Sequence, residues 1–145
     1  MDLYINKKET VSAPAVVLDD MMLTTDLPTT AGSKMLDGYV SLFAAEAADR
    51  LAAAGYAVSG KANVGELSID LLGESSYKGE CTDQNGNLSA ASAEIVKSGE
   101  VKAAINLDVN GMPRRAASLS GLAWYISTIT VSSDRNLKTI LEFTS

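Results

Sequence analysis

The chain contains no histidine and only one cysteine, Cys81, among its 145 residues. Without histidine neither a Ser-His-Asp triad nor a Cys-His pair can be built, and histidine-ligated zinc is excluded. A single cysteine excludes an internal disulfide framework and a multi-cysteine metal site, and it is typical of a reducing compartment. The sequence therefore predicts a cytoplasmic protein with no metal and no other cofactor.

Positive charge and long apolar runs are also scarce. The chain has 12 Lys and Arg against 18 Asp and Glu, a formal net charge of −6, and no basic run. Binding to free nucleic acid or to an anionic membrane surface is therefore not expected. No apolar run approaches the roughly 20 residues of a membrane span, and the first residues carry charges where a secretory signal needs an apolar core.

What is present is an ordinary globular composition, with 46% hydrophobic and 21% charged residues. At this length it predicts a single domain over residues 1–145 with one hydrophobic core. Four apolar segments rich in strand-forming residues predict β-strands: Ala15–Thr24, Tyr56–Ser59, Val101–Val109 and Leu122–Val131. We interpret Asp19 and Asp20, inside the first segment, as a solvated bend in the strand rather than a metal site, since no further ligand cluster accompanies them.

Alanine-rich segments alternate with these strands. Leu42–Ala54 and Ser89–Ser98 predict helices, and Gly55 and Gly99 follow them as stop signals. Glu66–Leu72 predicts a short helix, Pro113–Gly121 is ambiguous with a short helix as one interpretation, and Gly73–Gly86 predicts a polar surface loop. This order favours an α/β layered fold with a mixed, mainly parallel central sheet flanked by helices.

Four short stretches carry a more specific signal. They are PTTAGSK from Pro28, SGKANVGELS from Ser59, LSAAS from Leu88 and DVNGMPR from Asp108. Together, nearly end to end, they resemble the amidase signature family, most closely the A subunits of tRNA-dependent amidotransferases. Members of that family hydrolyse amides with one lysine and two serines. The resemblance implies a reduced version of the amidase signature fold, here as a single truncated domain.

Matched residue by residue, the family's catalytic lysine falls on Lys61, but its two serines do not survive. The first serine position is occupied by Leu88, and the nucleophile position by Met112, which lies 24 residues further on as the family spacing requires. Leucine cannot relay a proton and a thioether is a poor acyl acceptor, so a vestigial Lys61 has nothing to activate. The resemblance therefore implies an amide-hydrolase framework that is not expected to act as an enzyme.

Part of the family's anion-binding machinery is still implied by the resemblance. The backbone amides at Val109, Asn110 and Gly111, with Arg114 nearby, fall where the family forms its oxyanion loop. A structural pairing of Asp108 with Arg114 is the favoured alternative to ligand binding. For Lys61, an ordinary surface lysine remains the other interpretation.

Other nucleophiles are less convincing. Cys81 lies in a polar loop without flanking cations, so its thiolate should be a minority species near neutral pH. Four serines could be proposed as substitute nucleophiles, but none has a base in sequence reach: Ser89, Ser92, Ser118 and Ser120.

Three functional hypotheses follow. The first is a catalytically inactive, amidase-like binding or assembly module, whose incomplete sheet is covered by a second copy or by a partner subunit. The alternative is an amidase, or a protein similar to the A subunit of glutamyl- or aspartyl-tRNA amidotransferases, acting on carboxamides with partner chains. The third is an unrelated α/β binding protein. The family resemblance predicts that Lys61 and Met112 face one crevice.

Overall fold

The computed structural model describes residues 2–11, 14–70, 74–126 and 140–144. Within these ranges the strands are β1 (Tyr4–Lys7), β2 (Ala15–Asp19), β3 (Ala57–Ala62), β4 (Ala103–Leu107), β5 (Ala123–Ile126) and β6 (Ile140–Thr144). The α-helices are α1 (Glu46–Ala53), α2 (Ala91–Lys97) and α3 (Met112–Ser120), and short 3-10 turns lie at Lys34–Leu36 and Glu66–Ser68. None of these helices is long and apolar enough to cross a bilayer.

All six strands form one sheet in the order β1-β3-β2-β4-β6-β5. The central strand β2 pairs in parallel with β3 on one side and β4 on the other. β1 and β6 run in the opposite direction, and β5 pairs antiparallel with β6 and so runs with the central three. The predicted α/β fold with a mixed, mainly parallel sheet is confirmed.

The two faces of the sheet are buried by different helices. On one face, Val17 packs in a cluster with Ile95 of α2 and Ala117 of α3. On the other face, Leu18 packs with Met22 and with Ala48 of α1. Because successive strand residues point to opposite faces, β2 supplies both cores in turn. The side chains near the end of β2 therefore alternate between the face covered by α2 and α3 and the face covered by α1.

Three predicted helices are shorter in the structure, and for α2 the difference is confined to its end residues. α1 begins at Glu46 rather than Leu42, because Ala45 is extended (φ −65°, ψ 141°) and its N–H donates to the carbonyl of Leu23. The helix predicted over Glu66–Leu72 is only a 3-10 turn, since Leu67 has φ 52°, and residues 71 and 72 lie outside the described part of the chain.

The ambiguous segment after Pro113 is a helix. Gly111 precedes it with φ 88°, Pro113 occupies its first turn, where a missing N–H is harmless, and Gly121 ends it with φ 72°. The strand prediction over Leu122–Val131 is met by β5 in its first half, and residues 127–131 lie outside the described ranges. The two antiparallel strands β1 and β6 were not predicted from the sequence.

Candidate functional site

A crevice opens at the carboxyl ends of the parallel strands β2, β3 and β4, where α/β proteins commonly bind ligands. Its volume is about 40 Å³, which gives room for roughly three water molecules. The polar part of its lining includes Asp19, Asn63, Ser89, Asn106 and Asn110. The apolar part of the lining includes Val64, Val109 and Met112.

Met112 occupies the first residue of α3 and lines this crevice. Leu88, at the other lost serine position, is half-buried in an isolated bridge with Thr82 and does not line it. The neighbouring Ser89 does, but its hydroxyl donates to Glu94 Oε1 at 2.7 Å. No peptide bond within the described ranges is cis. Neither of the two lost serine positions therefore carries a hydroxyl group, and the hydroxyl of the neighbouring Ser89 is engaged with Glu94.

Lys61 is fully buried, so its interpretation as a surface lysine is wrong. Its ammonium donates to the Met22 carbonyl and, at 3.0 Å, to Thr29 Oγ1. Burial lowers the pKa of Lys61, while the carboxylates of Asp20 and Asp19 act in the opposite direction. The lysine thus holds the loop that follows β2.

Lys61 is absent from the residues that line the crevice. In the sheet it pairs with Leu18, which belongs to the α1 face, whereas Asp19 pairs with Ala62, which packs on the α2 face. The prediction that Lys61 shares one crevice with Met112 is therefore wrong. The lysine motif predicted that Lys61 lies at a strand. It did not predict which residues accept hydrogen bonds from its ammonium group.

Asp19 and Asp20 are also buried, at 2% and 0% exposure, so the predicted solvated bend is wrong. Asp19 accepts from the backbone N–H of Met21 at 3.0 Å and from that of Leu107. Burial raises the pKa of Asp19 to about 7, against the effect of these N–H donors and of nearby Lys61. Apolar residues on both sides of the Asp pair were the sequence signal for this burial.

Asp20 ties down the same loop from the other side. Its Oδ2 accepts from the backbone N–H of Thr30 at 2.9 Å and from the Thr30 hydroxyl. Burial raises the pKa of Asp20 as well, with the Thr30 hydrogen bonds opposing it. Lys61 and the two aspartates therefore form a buried cluster of titratable groups under the loop.

The loop before α3 is satisfied by its own side chains. The N–H of Gly111 donates to Asp108 Oδ1 at 2.5 Å, and that of Met112 donates to Asn110 Oδ1 at 3.1 Å. Arg114 forms an ion pair with Asp108, as the structural interpretation of that pair predicted. An anion at this loop would have to displace these contacts, so the anion-binding role of residues 109–114 stays a prediction.

Asn106, near the end of β4, is a functional candidate that was not predicted from the sequence. It is 2% exposed, it lines the crevice, and its Nδ2 has no hydrogen-bond partner. By contrast, Asn63 donates to Gly79 O at 2.9 Å and accepts from Ser76. An asparagine inside the apolar run of a predicted strand was the only signal available.

Cys81 lines the same crevice but is 4% exposed. Burial raises the pKa of its thiol to about 12, and the charge of Glu94 adds to the effect. The thiolate is a minority species, as expected, and burial disfavours it in addition to the lack of flanking cations. Across the described ranges, no group of three or more acidic, cysteine or histidine side chains is arranged to hold a metal ion.

A family model described as Amidase matches residues 14–85 of the chain. Curated relatives include the A subunit of the glutamyl-tRNA(Gln) amidotransferase of Symbiobacterium thermophilum, 35% identical over 113 residues, covering 74% of this chain and 23% of the relative. Its counterpart from Ralstonia nicotianae is 38% identical over 109 residues, covering 71% of this chain and 22% of the relative.

The solved structures agree with the sequence matches. The crystal structure of the glutamyl-tRNA(Gln) amidotransferase A subunit from Thermotoga maritima superposes with a TM-score of 0.85 and 27% identity, covering 98% of this chain and 36% of that one. The chain thus spans less than a quarter of the length of these two curated relatives.

Proposed function

Because the chain belongs to the amidase signature family, we propose that it is a catalytically inactive, amidase-like domain that serves as a binding or assembly module in the cytoplasm. The observation that carries the proposal is Met112, which lines the crevice at the position of the family's nucleophile. A methionine thioether has no proton to lose and does not form a useful acyl intermediate.

Three further features support the loss of catalysis. Lys61 donates to Met22 and Thr29, so its ammonium is already engaged as a structural donor. Leu88 has no hydroxyl to relay a proton to it. The N–H groups of Gly111 and Met112, which would stabilise a developing oxyanion, donate to side chains of their own loop.

The purified protein is expected to release no ammonia from small carboxamides above the buffer rate, because it lacks a nucleophile next to a base. An ammonia-coupled assay measures this directly. Ser89→Ala is the matched control, since Ser89 is a hydroxyl that still lines the crevice. Hydrolysis by the unaltered chain that disappears in Ser89→Ala, or in Lys61→Ala that remains folded by circular dichroism, contradicts the proposal.

The alternative is a protein that acts on carboxamides with partner chains, in the manner of an amidotransferase A subunit. It is favoured by the curated relatives, which carry that name. In both cases we infer that a second copy or a partner subunit packs on the sheet. The edge strand β5 supports this, since Trp124 and Tyr125 are 46% and 62% exposed.

Association is tested by light scattering on the purified chain and by recovery of bound proteins from its native cells. We expect either a self-associated species or a stable complex. Recovery of amidotransferase subunits together with carboxamide-dependent activity favours the alternative function. A chain that stays monomeric at high concentration and recovers no partner contradicts both versions of the association.

A further inference from the structure

Asp19 and Asn106 lie side by side on neighbouring strands. The parallel register pairs Leu18 of β2 with Ile105 of β4, so the next residue of each strand projects from the opposite face, beside the other. Asp19 Oδ2 accepts the N–H of Leu107, which holds the two strand ends together. Both side chains are 2% exposed, and both line the crevice.

The amide of Asn106 nevertheless has a hydrogen-bonding atom left over. Its Nδ2 is buried without a partner, and it is the one such atom found among the described residues that line the crevice. Buried donors are nearly always paired, since an orphaned donor loses its bonds to water without replacement. The neighbouring amide of Asn110 is already used, because its Nδ2 donates to the Asp70 carbonyl at 2.5 Å. In the lining of the crevice, a buried donor without a partner therefore lies beside the carboxyl group of Asp19.

We propose that Asp19 and Asn106 together bind a small monocarboxylic acid, with the ligand carboxylate accepting from Asn106 Nδ2 and sharing a proton with Asp19. This inference rests on the proposed binding role of the crevice and names the chemistry of its ligand. Asp19 and Asn106 are not at the family's lysine or serine positions. Lys61 takes no part in this pair, because its ammonium donates to Met22 and Thr29.

The electrostatics of the crevice favour an acid that shares a proton over a bare anion. No lysine or arginine is found among the described lining residues, and the amides of Gly111 and Met112 are engaged, so a bare anion has no counter-charge there. An acid that shares one proton with Asp19 adds no second negative charge to the pair. A carboxamide can pair with Asp19 in either protonation state, since the protonated acid donates to the amide oxygen and the carboxylate accepts from the amide N–H, so its binding should depend little on pH.

Other titratable groups act on this pair. Lys61 favours the ionised form of Asp19, and Asp20 opposes it. Asp70 and Cys81 also line the crevice, and burial raises the pKa of Cys81 to about 12, so that thiol does not change charge near neutrality. Desolvation is the largest influence on Asp19 and raises its pKa to about 7. The proton needed for an acid–carboxylate pair is therefore present below that pH.

Acetate is the probe, since it is a small monocarboxylic acid with no other polar group and the crevice is small. Ligand-observed NMR with labelled acetate on the full chain should detect binding at pH 6, and the affinity should fall roughly tenfold for each pH unit above 7. Asn106→Leu, close in volume but without the donor, should weaken acetate binding at least tenfold at pH 6. Asp19→Asn should abolish the pH dependence, because the side chain no longer titrates.

Acetamide is the matched control ligand. Acetamide that binds as tightly as acetate, without the pH dependence, overturns the inference in favour of an ordinary amide site. Absence of acetate binding to the folded, unaltered chain at pH 6 overturns it without reference to any variant. The ammonia assay tests the proposed function separately. If the chain neither hydrolyses amides nor binds acetate, only this inference fails. If it hydrolyses amides but binds acetate, the proposed function fails and this inference stands.

Discussion

Lys61→Met is expected to lower the free energy of unfolding by about 3 kcal/mol, the effect of removing one member of a buried charged group. The substitution removes the donor to the Met22 carbonyl and to Thr29 Oγ1, and it leaves Asp20 buried without the lysine charge that favours its ionised form. The methionine fills much the same volume, so the change tests the charge and the hydrogen bonds more than the packing.

Urea denaturation of the two proteins at one pH measures the difference. Lys34→Met is the matched control, because Lys34 is an exposed lysine in a short turn and its loss should change stability by no more than about 0.5 kcal/mol. Equal midpoints for Lys61→Met and Lys34→Met would show that the buried ammonium contributes nothing to the fold and would reopen a purely functional role.

The second large effect concerns pH. The pKa of Asp19 is about 7 in the folded chain, against an ordinary value of 3.8. Between these values the folded state holds a proton that the unfolded state has released, so the contribution of Asp19 to stability falls as the pH rises from about 4 to 7. The full shift in pKa corresponds to a loss of at most about 4 kcal/mol in the free energy of unfolding.

Asp19→Asn removes this dependence, because asparagine resembles the protonated acid at every pH. The difference in unfolding free energy between the original chain and the variant should move in favour of the variant by up to about 4 kcal/mol from pH 4 to pH 8. Other carboxyls, such as Asp26 and Asp83 with lowered pKa values, titrate in both proteins and cancel in the difference. A constant difference across this range contradicts the buried-acid interpretation.

The alternation of helices and strands in the sequence was sufficient to predict the parallel centre of the sheet. Runs such as AVVL before Asp19 have the composition of strands buried on both faces, and such strands need helical crossovers. β1 was missed because Tyr4–Lys7 is short, half-buried and mixed in polarity, and an edge strand of that kind has no distinctive period.

The site was harder to predict than the fold. The motif placed Met112 at the crevice correctly, because the start of a helix after a strand is a local feature. It failed for Lys61, whose acceptors come from a loop 39 and 32 residues earlier in the chain. Asn106 could not be singled out from the sequence, because what distinguishes it is a buried side-chain N–H without a hydrogen-bond acceptor. That property depends on packing rather than on residue type.

The position of β2 at the centre of the sheet also has a kinetic consequence. Its two parallel neighbours arrive late in the chain, so Ala15 pairs with Ala57 in β3 and Val16 pairs with Ala103 in β4. The contact from Leu107 to Asp19 closes a separation of 88 residues. Because the entropy of closing such long loops must be overcome before any contact compensates for it, folding should be slow. Until β4 docks, β2 exposes an apolar strand edge, and chains caught at that stage are those most prone to aggregate during synthesis.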